Sequence, residues 1–151
     1  MGDFTRGMKM NIKDYGLKEN LLEKIDNNKT IARIIATHKG RYEIVCNHGK
    51  GFAKIKRGSY DDNTNSIYPT TGDFVVIEWN DMGDSMIGET LKRESFFSRA
   101  ASSSDRNREL HNQHQQLVAA NFDYVFIMQS LNQNFNINRI ERYLSLAWES
   151  G

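Results

Sequence analysis

Residues 30–91 break into short runs of β-branched and aromatic residues separated by turns that are rich in Gly, Asn and Pro. Runs of this length favour strands, and the residues between them tolerate the backbone angles of tight turns. The spacing predicts five strands, at 31–37, 41–46, 52–56, 74–79 and 86–91. Together with one longer excursion at 58–67, they indicate a mainly β fold, a five-stranded Greek-key barrel of the OB type. An SH3-like barrel is the alternative.

Amphipathic segments precede and follow the predicted barrel. Leu17, Leu21, Leu22 and Ile25 repeat at helical spacing and predict one short helix that covers an end of the barrel. Near the other end of the chain, Asn136 is a suitable N-cap for a helix over 136–149. One face of that helix would be apolar, because apolar residues recur at steps of three and four: Ile137, Ile140, Tyr143, Leu144, Ala147 and Trp148.

The run Tyr124-Val125-Phe126-Ile127-Met128 is apolar without alternation. This pattern is typical of a strand buried on both faces of a parallel sheet. A strand followed by a helix is half of a βαβ unit, and parallel pairing needs a return strand that the sequence does not contain. We therefore expect this chain to be a piece of a longer protein.

The cysteine count and the hydropathy indicate where such a protein works. The chain has 151 residues and one cysteine, Cys46, which excludes an internal disulfide framework and is expected to be a plain buried thiol. No apolar run approaches the roughly 20 residues of a membrane span, and no signal peptide opens the chain. These features predict a cytoplasmic protein without a membrane partner.

Charge is distributed unevenly along the barrel sequence. Residues 30–59 contain seven Lys or Arg against one acid, a net charge of +6, whereas residues 60–91 contain seven acids and no Lys or Arg, a net charge of −7. On charge alone two interpretations remain open: acidic strands pair beside basic ones, or a positive face binds a polyanion. The cations of the basic segment are Arg33, Lys39, Arg41, Lys50, Lys54, Lys56 and Arg57.

Aromatic residues lie among these cations. Small barrels of the OB type bind oligonucleotides on a basic strand face, where aromatic rings offer flat surfaces to bases. Tyr42, Phe52 and Tyr60 are placed for that role, although we expect Phe52 to belong to the core rather than to a binding surface. The candidate set for binding a nucleic acid is therefore the seven cations and Tyr42, joined by Lys92, Arg93 and Arg99 at the exit from the barrel.

Residues 100–116 are polar and rich in Ser and Gln without apolar periodicity, and we interpret the segment 96–119, which contains them, as a linker or mobile loop. It contains His111 and His114, but no Cys or third His joins them, so no metal site is predicted. The chain also lacks four common functional motifs: the phosphate loop Gly-x-x-x-x-Gly-Lys-Ser/Thr, the nucleophile elbow Gly-x-Ser-x-Gly, the Cys-x-x-Cys pair and the zinc-binding His-Glu-x-x-His helix. Asp73 and Asp123 are best explained as turn and strand-cap residues, so we expect no catalytic or nucleotide-binding residue in this chain.

Several motifs in order resemble one family. Tyr68-Pro69 precedes Gly72-Asp73-Phe74-Val75, and the barrel ends in Lys92-Arg93-Glu94-Ser95-Phe96-Phe97-Ser98-Arg99. The sequence Gln116-Leu117-Val118-Ala119-Ala120-Asn121-Phe122-Asp123 follows, then Ser130-Leu131-Asn132, Phe135-Asn136 and Arg139-Ile140-Glu141-Arg142-Tyr143-Leu144. From the barrel to its last residue, the chain resembles the bacterial ribosome small-subunit-dependent GTPases, which are circularly permuted and act late in small-subunit maturation.

The resemblance implies an OB barrel, then a permuted GTPase domain, then a zinc-binding helical domain. It makes 124–130 the first GTPase strand and 136–149 the first helix, with every nucleotide and zinc ligand beyond Gly151. GTP with Mg²⁺ and a structural Zn²⁺ are then expected for the full-length protein, and no cofactor for this chain. The implied partner is the small ribosomal subunit and its rRNA, contacted by the basic face of the barrel.

These inferences divide the chain into four parts: an N-terminal tail and short helix (1–29), an OB barrel (30–95), a polar linker (96–119) and the start of a truncated GTPase domain (120–151). The first hypothesis is an rRNA-binding N-terminal part of a GTPase, itself without GTP turnover. The rival hypothesis is a protein-interaction module, in which the barrel and the apolar face of the last helix bind a partner. That module would also self-associate through the orphan strand and helix.

Overall fold

The computed structural model describes residues 10–22, 29–60, 68–99 and 116–150. Ile25, most of the excursion 58–67, His111 and His114 lie outside the described residues. The chain divides into two compact units, Met1–Lys92 and Arg93–Gly151. Each unit is built around its own sheet.

The first unit contains all five predicted strands. They are β1 (Thr30–His38), β2 (Arg41–Cys46), β3 (Gly49–Ile55), β4 (Phe74–Glu78) and β5 (Ser85–Thr90). They close into a barrel in the order β1-β2-β3-β5-β4. All neighbours are antiparallel except β3 and β5, which are parallel, so the predicted five-stranded OB-type barrel is confirmed.

The barrel interior follows from the two-residue period of its strands. On β2, Ile44 and Cys46 point inward, and their neighbours across the ladder are Ile34 and Ala32 of β1. The Cys46 thiol is free and fully buried, as predicted, and burial raises its pKa. The other fully or nearly buried residues of this cluster are Ala53, Tyr60, Val75, Ile77 and Ile87.

The N-terminal segment packs on the outside of the barrel wall and not across a barrel end, so that part of the prediction was wrong. It consists of a 3-10 helix, Ile12–Tyr15, and a short helix α1, Glu19–Leu22. Ile12 and Leu17 are buried against the outward-facing Ile31, Val45 and Phe74. These three side chains alternate with the interior residues, so the wall would expose them to water without this cover.

The second unit contains two strands and one helix. β6 (Phe96–Arg99) pairs antiparallel with β7 (Gln116–Ala120). β6 and all but the last residue of β7 fall within the segment interpreted as a linker. The two ends of that segment carry apolar residues that pair across the sheet. The polar part between them, 100–115, lies outside the described residues. The helix α2 (Ile137–Glu149) begins at the predicted N-cap, where the Asn136 side chain accepts a hydrogen bond from the Arg139 backbone N–H.

The predicted strand at 124–128 was wrong for this chain. Residues 124–130 have no regular secondary structure, and Phe126 is 89% exposed. A strand needs a neighbour to satisfy its backbone groups, and the only strand pair described in this unit, β6 and β7, does not extend to this run. The run is therefore apolar in sequence and exposed in structure.

Candidate nucleic-acid interface

The register of β2 and β3 brings most of the basic residues to the outer face of the barrel. Ala53 pairs with Tyr42 and faces inward, so the alternating residues of β3 face outward. These are Lys50, Phe52 and Lys54, with Lys56 just beyond the strand. Arg41 and Glu43 lie on the same side of β2, because Glu43 pairs with Phe52. We call this surface the β2–β3 face.

Phe52 lies at the centre of the β2–β3 face and is 37% exposed. The expectation that Phe52 belongs to the core was wrong. Side chains alternate between the two faces along β3, and the neighbouring Ala53 takes the inward position, so Phe52 faces outward. The Arg41 guanidinium carbon lies 3.8 Å from the centroid of the Phe52 ring, a cation–π geometry. The centroid of the His38 ring lies 6.5 Å from that of the Phe52 ring, and the two ring planes are tilted by 53°.

Asp84 holds two cations of this face. Its Oδ1 accepts hydrogen bonds from Arg41 Nε (3.0 Å) and Nη2 (2.6 Å), and its Oδ2 lies 2.8 Å from Lys54 Nζ. Hydrogen bonds from Lys54 and then from Arg41 hold the pKa of Asp84 below its ordinary value. The carboxylate is therefore charged at neutral pH and fixes the position of both cations.

A second ion pair crosses from the basic segment to the acidic one. Lys56 Nζ lies 2.5 Å from Glu78 Oε1, and within the basic segment His38 Nε2 lies 3.7 Å from Glu43 Oε2. Two acids of the segment 60–91, Asp84 and Glu78, thus form ion pairs with three of the seven cations: Arg41, Lys54 and Lys56. These three ion pairs agree with the structural interpretation, in which acidic strands pair beside basic ones.

Three cations keep their charge available to a ligand. Lys39, in the turn between β1 and β2, Lys50 on β3 and Arg57 after β3 are all exposed. None of their side chains makes an ion pair or a hydrogen bond to another residue in the part of the chain that the structure describes. An anion would meet no internal competitor at these positions.

Two candidate residues serve the fold instead. Arg33 lies on β1, where its guanidinium donates to the Tyr15 carbonyl and sits 5.1 Å from the Phe74 ring, so it fastens the N-terminal segment to the barrel wall. Tyr42 points toward the barrel interior, and burial raises its pKa. Neither side chain belongs to the β2–β3 face.

The remaining candidates follow β5. Lys92 is exposed and ends the first unit, and Arg93 begins the second unit and is half-buried. Arg99 lies at the end of β6, and its side chain is outside the described residues.

Asp73 has the turn role expected for it: it is fully buried, and its Oδ2 accepts a hydrogen bond from the Thr70 backbone N–H at 2.7 Å.

Sequence reasoning missed a second aromatic feature of the first unit. The His48 ring stacks on Trp79 with centroids 5.4 Å apart and an interplanar angle of 16°. Trp79 Nε1 donates to Asp81 Oδ1 at 2.6 Å. Both rings lie in or next to turns, at 47–48 and after β4, and the sequence contains no signal that these two turns meet.

Neither a metal site nor a membrane-spanning segment is found in the described ranges. No three His, Cys, Asp or Glu side chains there gather into a group that could hold a metal ion. Among the same residues, no helix has the length and apolar character needed to cross a bilayer. The described features are a small β-barrel with a basic and aromatic outer face, and a second unit with an exposed apolar segment and helix.

These features define an OB-barrel protein with an appended second unit, and comparison with known proteins identifies its relatives. No family model matches the chain. The chain is 37% identical over 143 residues to the small ribosomal subunit biogenesis GTPase RsgA 1 of Listeria monocytogenes serovar 1/2a, covering 94% of this chain and 38% of that protein. It is 35% identical, with the same coverage, to RsgA 2 of Listeria monocytogenes serotype 4b.

The fold comparison agrees with the sequence comparison. The crystal structure of YjeQ from Thermotoga maritima matches with a TM-score of 0.52 and 18% identity, covering 81% of this chain and 38% of that one. The resemblance seen in the sequence is therefore confirmed: this chain is related to the N-terminal portion of the ribosome small-subunit-dependent GTPases. It spans about 38% of the length of these relatives.

Proposed function

We propose that this chain is the N-terminal, rRNA-binding part of a GTPase that acts in late maturation of the small ribosomal subunit in the cytoplasm. Its partner would be the small subunit, contacted through rRNA. The relatives named as small ribosomal subunit biogenesis GTPases support this proposal, as does the OB-type barrel, a fold whose strand face commonly binds oligonucleotides.

The parent protein would hydrolyse GTP to GDP and phosphate, using Mg²⁺ with the nucleotide and a structural Zn²⁺. The sequence of this chain contains no phosphate-loop motif. We therefore expect no GTP turnover from the chain alone, and a phosphate-release assay that detects turnover would contradict this part of the proposal.

The observation that carries the rRNA role is the group of three exposed cations without an internal partner, Lys39, Lys50 and Arg57, on and beside the β2–β3 face. Cations that are already neutralised by acids contribute less to polyanion binding, because the acid must first be displaced. Binding should therefore depend on these three side chains more than on the total number of Lys and Arg residues.

Filter binding to small-subunit rRNA across a salt series tests the proposal. The expected result is binding that weakens as salt rises, with a log–log slope of about 0.7 to 0.9 for each phosphate contacted. Replacing Lys39, Lys50 and Arg57 with Gln should lower the slope by about 2 to 3. Absent or salt-independent binding would refute the rRNA role.

A matched control variant separates this surface from overall charge. Replacing the exposed Lys29, Arg139 and Arg142 with Gln removes the same charge from positions outside the β2–β3 face. This variant should retain most of the slope. An equal loss in both variants would mean that net charge, rather than the β2–β3 face, determines binding.

A second candidate function, a protein-interaction module, is favoured by the exposed apolar surface of the second unit. Trp148 on α2 is 90% exposed, and Leu144 on the same helix and Phe126 are exposed as well. Large exposed apolar side chains that lie together on a surface mark interaction sites, and Leu144 and Trp148 lie one turn apart on α2. Light scattering would detect self-association of the chain, and the double variant Leu144→Glu, Trp148→Glu should abolish it, whereas Met82→Glu on the first unit should not.

A further inference from the structure

We propose that Arg41, Phe52, Lys54 and Asp84 form a binding site for one unpaired nucleotide of RNA. The base would stack on the Arg41–Phe52 pair, and its phosphate would take the place of the Asp84 carboxylate beside Lys54. This inference rests on the proposed rRNA role and adds the kind of RNA that is recognised and the residues that recognise it.

The stacking surface is already assembled. The Arg41 guanidinium lies 3.8 Å from the centroid of the Phe52 ring, and the Arg41 side chain is itself 45% exposed. Unpaired bases stack on aromatic rings and on guanidinium planes alike. The hydrogen bonds to Asp84 hold the guanidinium in position, so little side-chain freedom is lost when a base binds.

The anion position is assembled as well. Asp84 carries a negative charge and accepts hydrogen bonds from Arg41 and Lys54 at 2.6 to 3.0 Å. A phosphate oxygen has the same charge and the same need for donors. The Lys54 side chain is 55% exposed, so it can turn from the carboxylate toward a phosphate without a change in the backbone. Asp84 thus competes with an RNA phosphate for the Lys54 ammonium group.

The neighbouring cations extend the site along the strand. Lys50 and Lys56 flank Phe52 and Lys54 at every second position, which spaces successive outward side chains by about 6.6 Å. Lys50 has no ion-pair partner among the described residues. A nucleic-acid strand that crosses this face would therefore meet one aromatic contact, Phe52, with cationic contacts on both sides of it.

The arrangement favours an unpaired strand over a duplex. Stacking on Phe52 and Arg41 requires a base whose face is free, and in a duplex the neighbouring base pairs cover both faces. A duplex would use only the cations, three of which are partly neutralised by Asp84 and Glu78.

Fluorescence anisotropy with two labelled RNAs tests this inference on the whole chain. One probe is an oligouridylate of about 12 nucleotides, within the usual range for one OB fold, and the other is an RNA duplex of about the same length. We expect the oligouridylate to bind more tightly. Phe52→Leu, which changes no charge, should weaken oligouridylate binding about ten-fold and leave duplex binding unchanged.

Asp84→Asn tests the role of the internal competitor. It removes the negative charge but keeps a hydrogen-bond acceptor, so oligouridylate binding should strengthen several-fold if Asp84 competes with phosphate. Phe135→Leu, an exposed phenylalanine of the second unit, is the matched control and should have no effect. Circular dichroism melting of each variant verifies folding, and Arg41→Lys provides a second, charge-conserving variant should Phe52→Leu fail to fold.

The outcomes distinguish this inference from the proposed function. RNA binding that is equal for both probes, or that is insensitive to Phe52→Leu, would overturn the nucleotide site and leave the rRNA role intact. Weaker binding by Asp84→Asn would show that Asp84 supports the site rather than competing for it, and would also overturn the inference. Absence of binding to either RNA and to rRNA would refute both.

Discussion

The Arg41 guanidinium carbon lies 3.8 Å from the Phe52 ring centroid, while Nη2 of the same group lies 2.6 Å from Asp84 Oδ1. One side chain thereby connects β2, β3 and the residue before β5. Arg suits this position because a planar guanidinium can stack on a ring and donate sideways at the same time, which an ammonium group cannot do.

The first prediction concerns this relationship. Arg41→Lys keeps the charge but loses the stacked plane and one donor, so we expect the free energy of unfolding to fall by about 0.5 to 1 kcal/mol. Urea denaturation measures the change. Arg57→Lys, at an exposed site without an ion pair to a described residue, is the matched control and should be neutral.

A double-mutant cycle tests the contact itself. Phe52→Leu should lower the free energy of unfolding less in the Arg41→Lys background than in the wild type, and additive effects would mean that the two side chains do not interact.

The barrel could be predicted because its determinants are local. Turn residues bound each strand, and β1, β2 and β4 also carry several β-branched residues; the N-cap Asn136 can be identified from its own position in the sequence. These signals can be identified in the sequence before it is known which strand will become the neighbour.

The composition of the candidate site could not be predicted, because it depends on register and on pairing across the barrel. Phe52 and Ala53 are adjacent in sequence, and only their pairing with Glu43 and Tyr42 decides which one faces outward. Asp84 is 43 residues from Arg41, and its contact exists only in the closed barrel. The apolar run 124–128 resembles a strand for a local reason, but strand formation needs a partner, which is a non-local condition.

The second prediction concerns the start of α2. The Asn136 side chain accepts a hydrogen bond from the Arg139 backbone N–H at 3.2 Å. Asn136→Ala should lower helix stability by about 1 kcal/mol, because an unsatisfied N–H remains at the first turn. Circular dichroism at the helical minimum should show a loss of helix content. Asn136→Asp retains the acceptor and should preserve it; a similar loss in both variants would show that the cap is not the cause.

The third prediction concerns alkaline pH. Burial raises the pKa of Tyr60 to about 12. The Tyr60 hydroxyl also forms a 2.7 Å hydrogen bond with Thr90 Oγ1, which offsets part of this increase. Because the folded pKa exceeds the unfolded value of about 10, the stabilisation is fully present below pH 10. It is lost as pH rises from about 10 toward 12. We expect the unfolding free energy to decline across this window.

Tyr60→Phe tests the assignment. Near neutral pH the variant should be less stable by about 1 kcal/mol, because the hydrogen bond to Thr90 is lost. Its disadvantage should shrink above about pH 10, since it has no hydroxyl to ionise. Urea denaturation at about pH 8 and about pH 11 measures both effects. Tyr124→Phe, at an exposed position, should follow the wild-type curve, and a constant gap between Tyr60→Phe and the wild type would contradict the assignment.

The fourth prediction concerns the close approach of Gly51 to Trp79. A Cβ atom on Gly51 would lie 3.2 Å from Cη2 and 3.3 Å from Cζ3 of the Trp79 ring. The ring cannot move freely, because its Nε1 donates to Asp81 and its face stacks on His48. Gly51→Ala should therefore destabilise the barrel by about 1 to 3 kcal/mol, the usual cost of overpacking.

Gly88→Ala is the matched control, since a Cβ there would meet only the Val76 carbonyl oxygen, at 3.9 Å, an ordinary contact. It should be neutral or stabilising by up to about 1 kcal/mol, because alanine lowers the entropy of the unfolded chain. In a Trp148→Phe background, where Trp79 is the remaining tryptophan, Gly51→Ala should also shift the fluorescence emission as the stack on His48 opens. If Gly51→Ala were as stable as Gly88→Ala and its emission unchanged, the Trp79 ring would have room to move, and its hydrogen bond to Asp81 would not fix it in place.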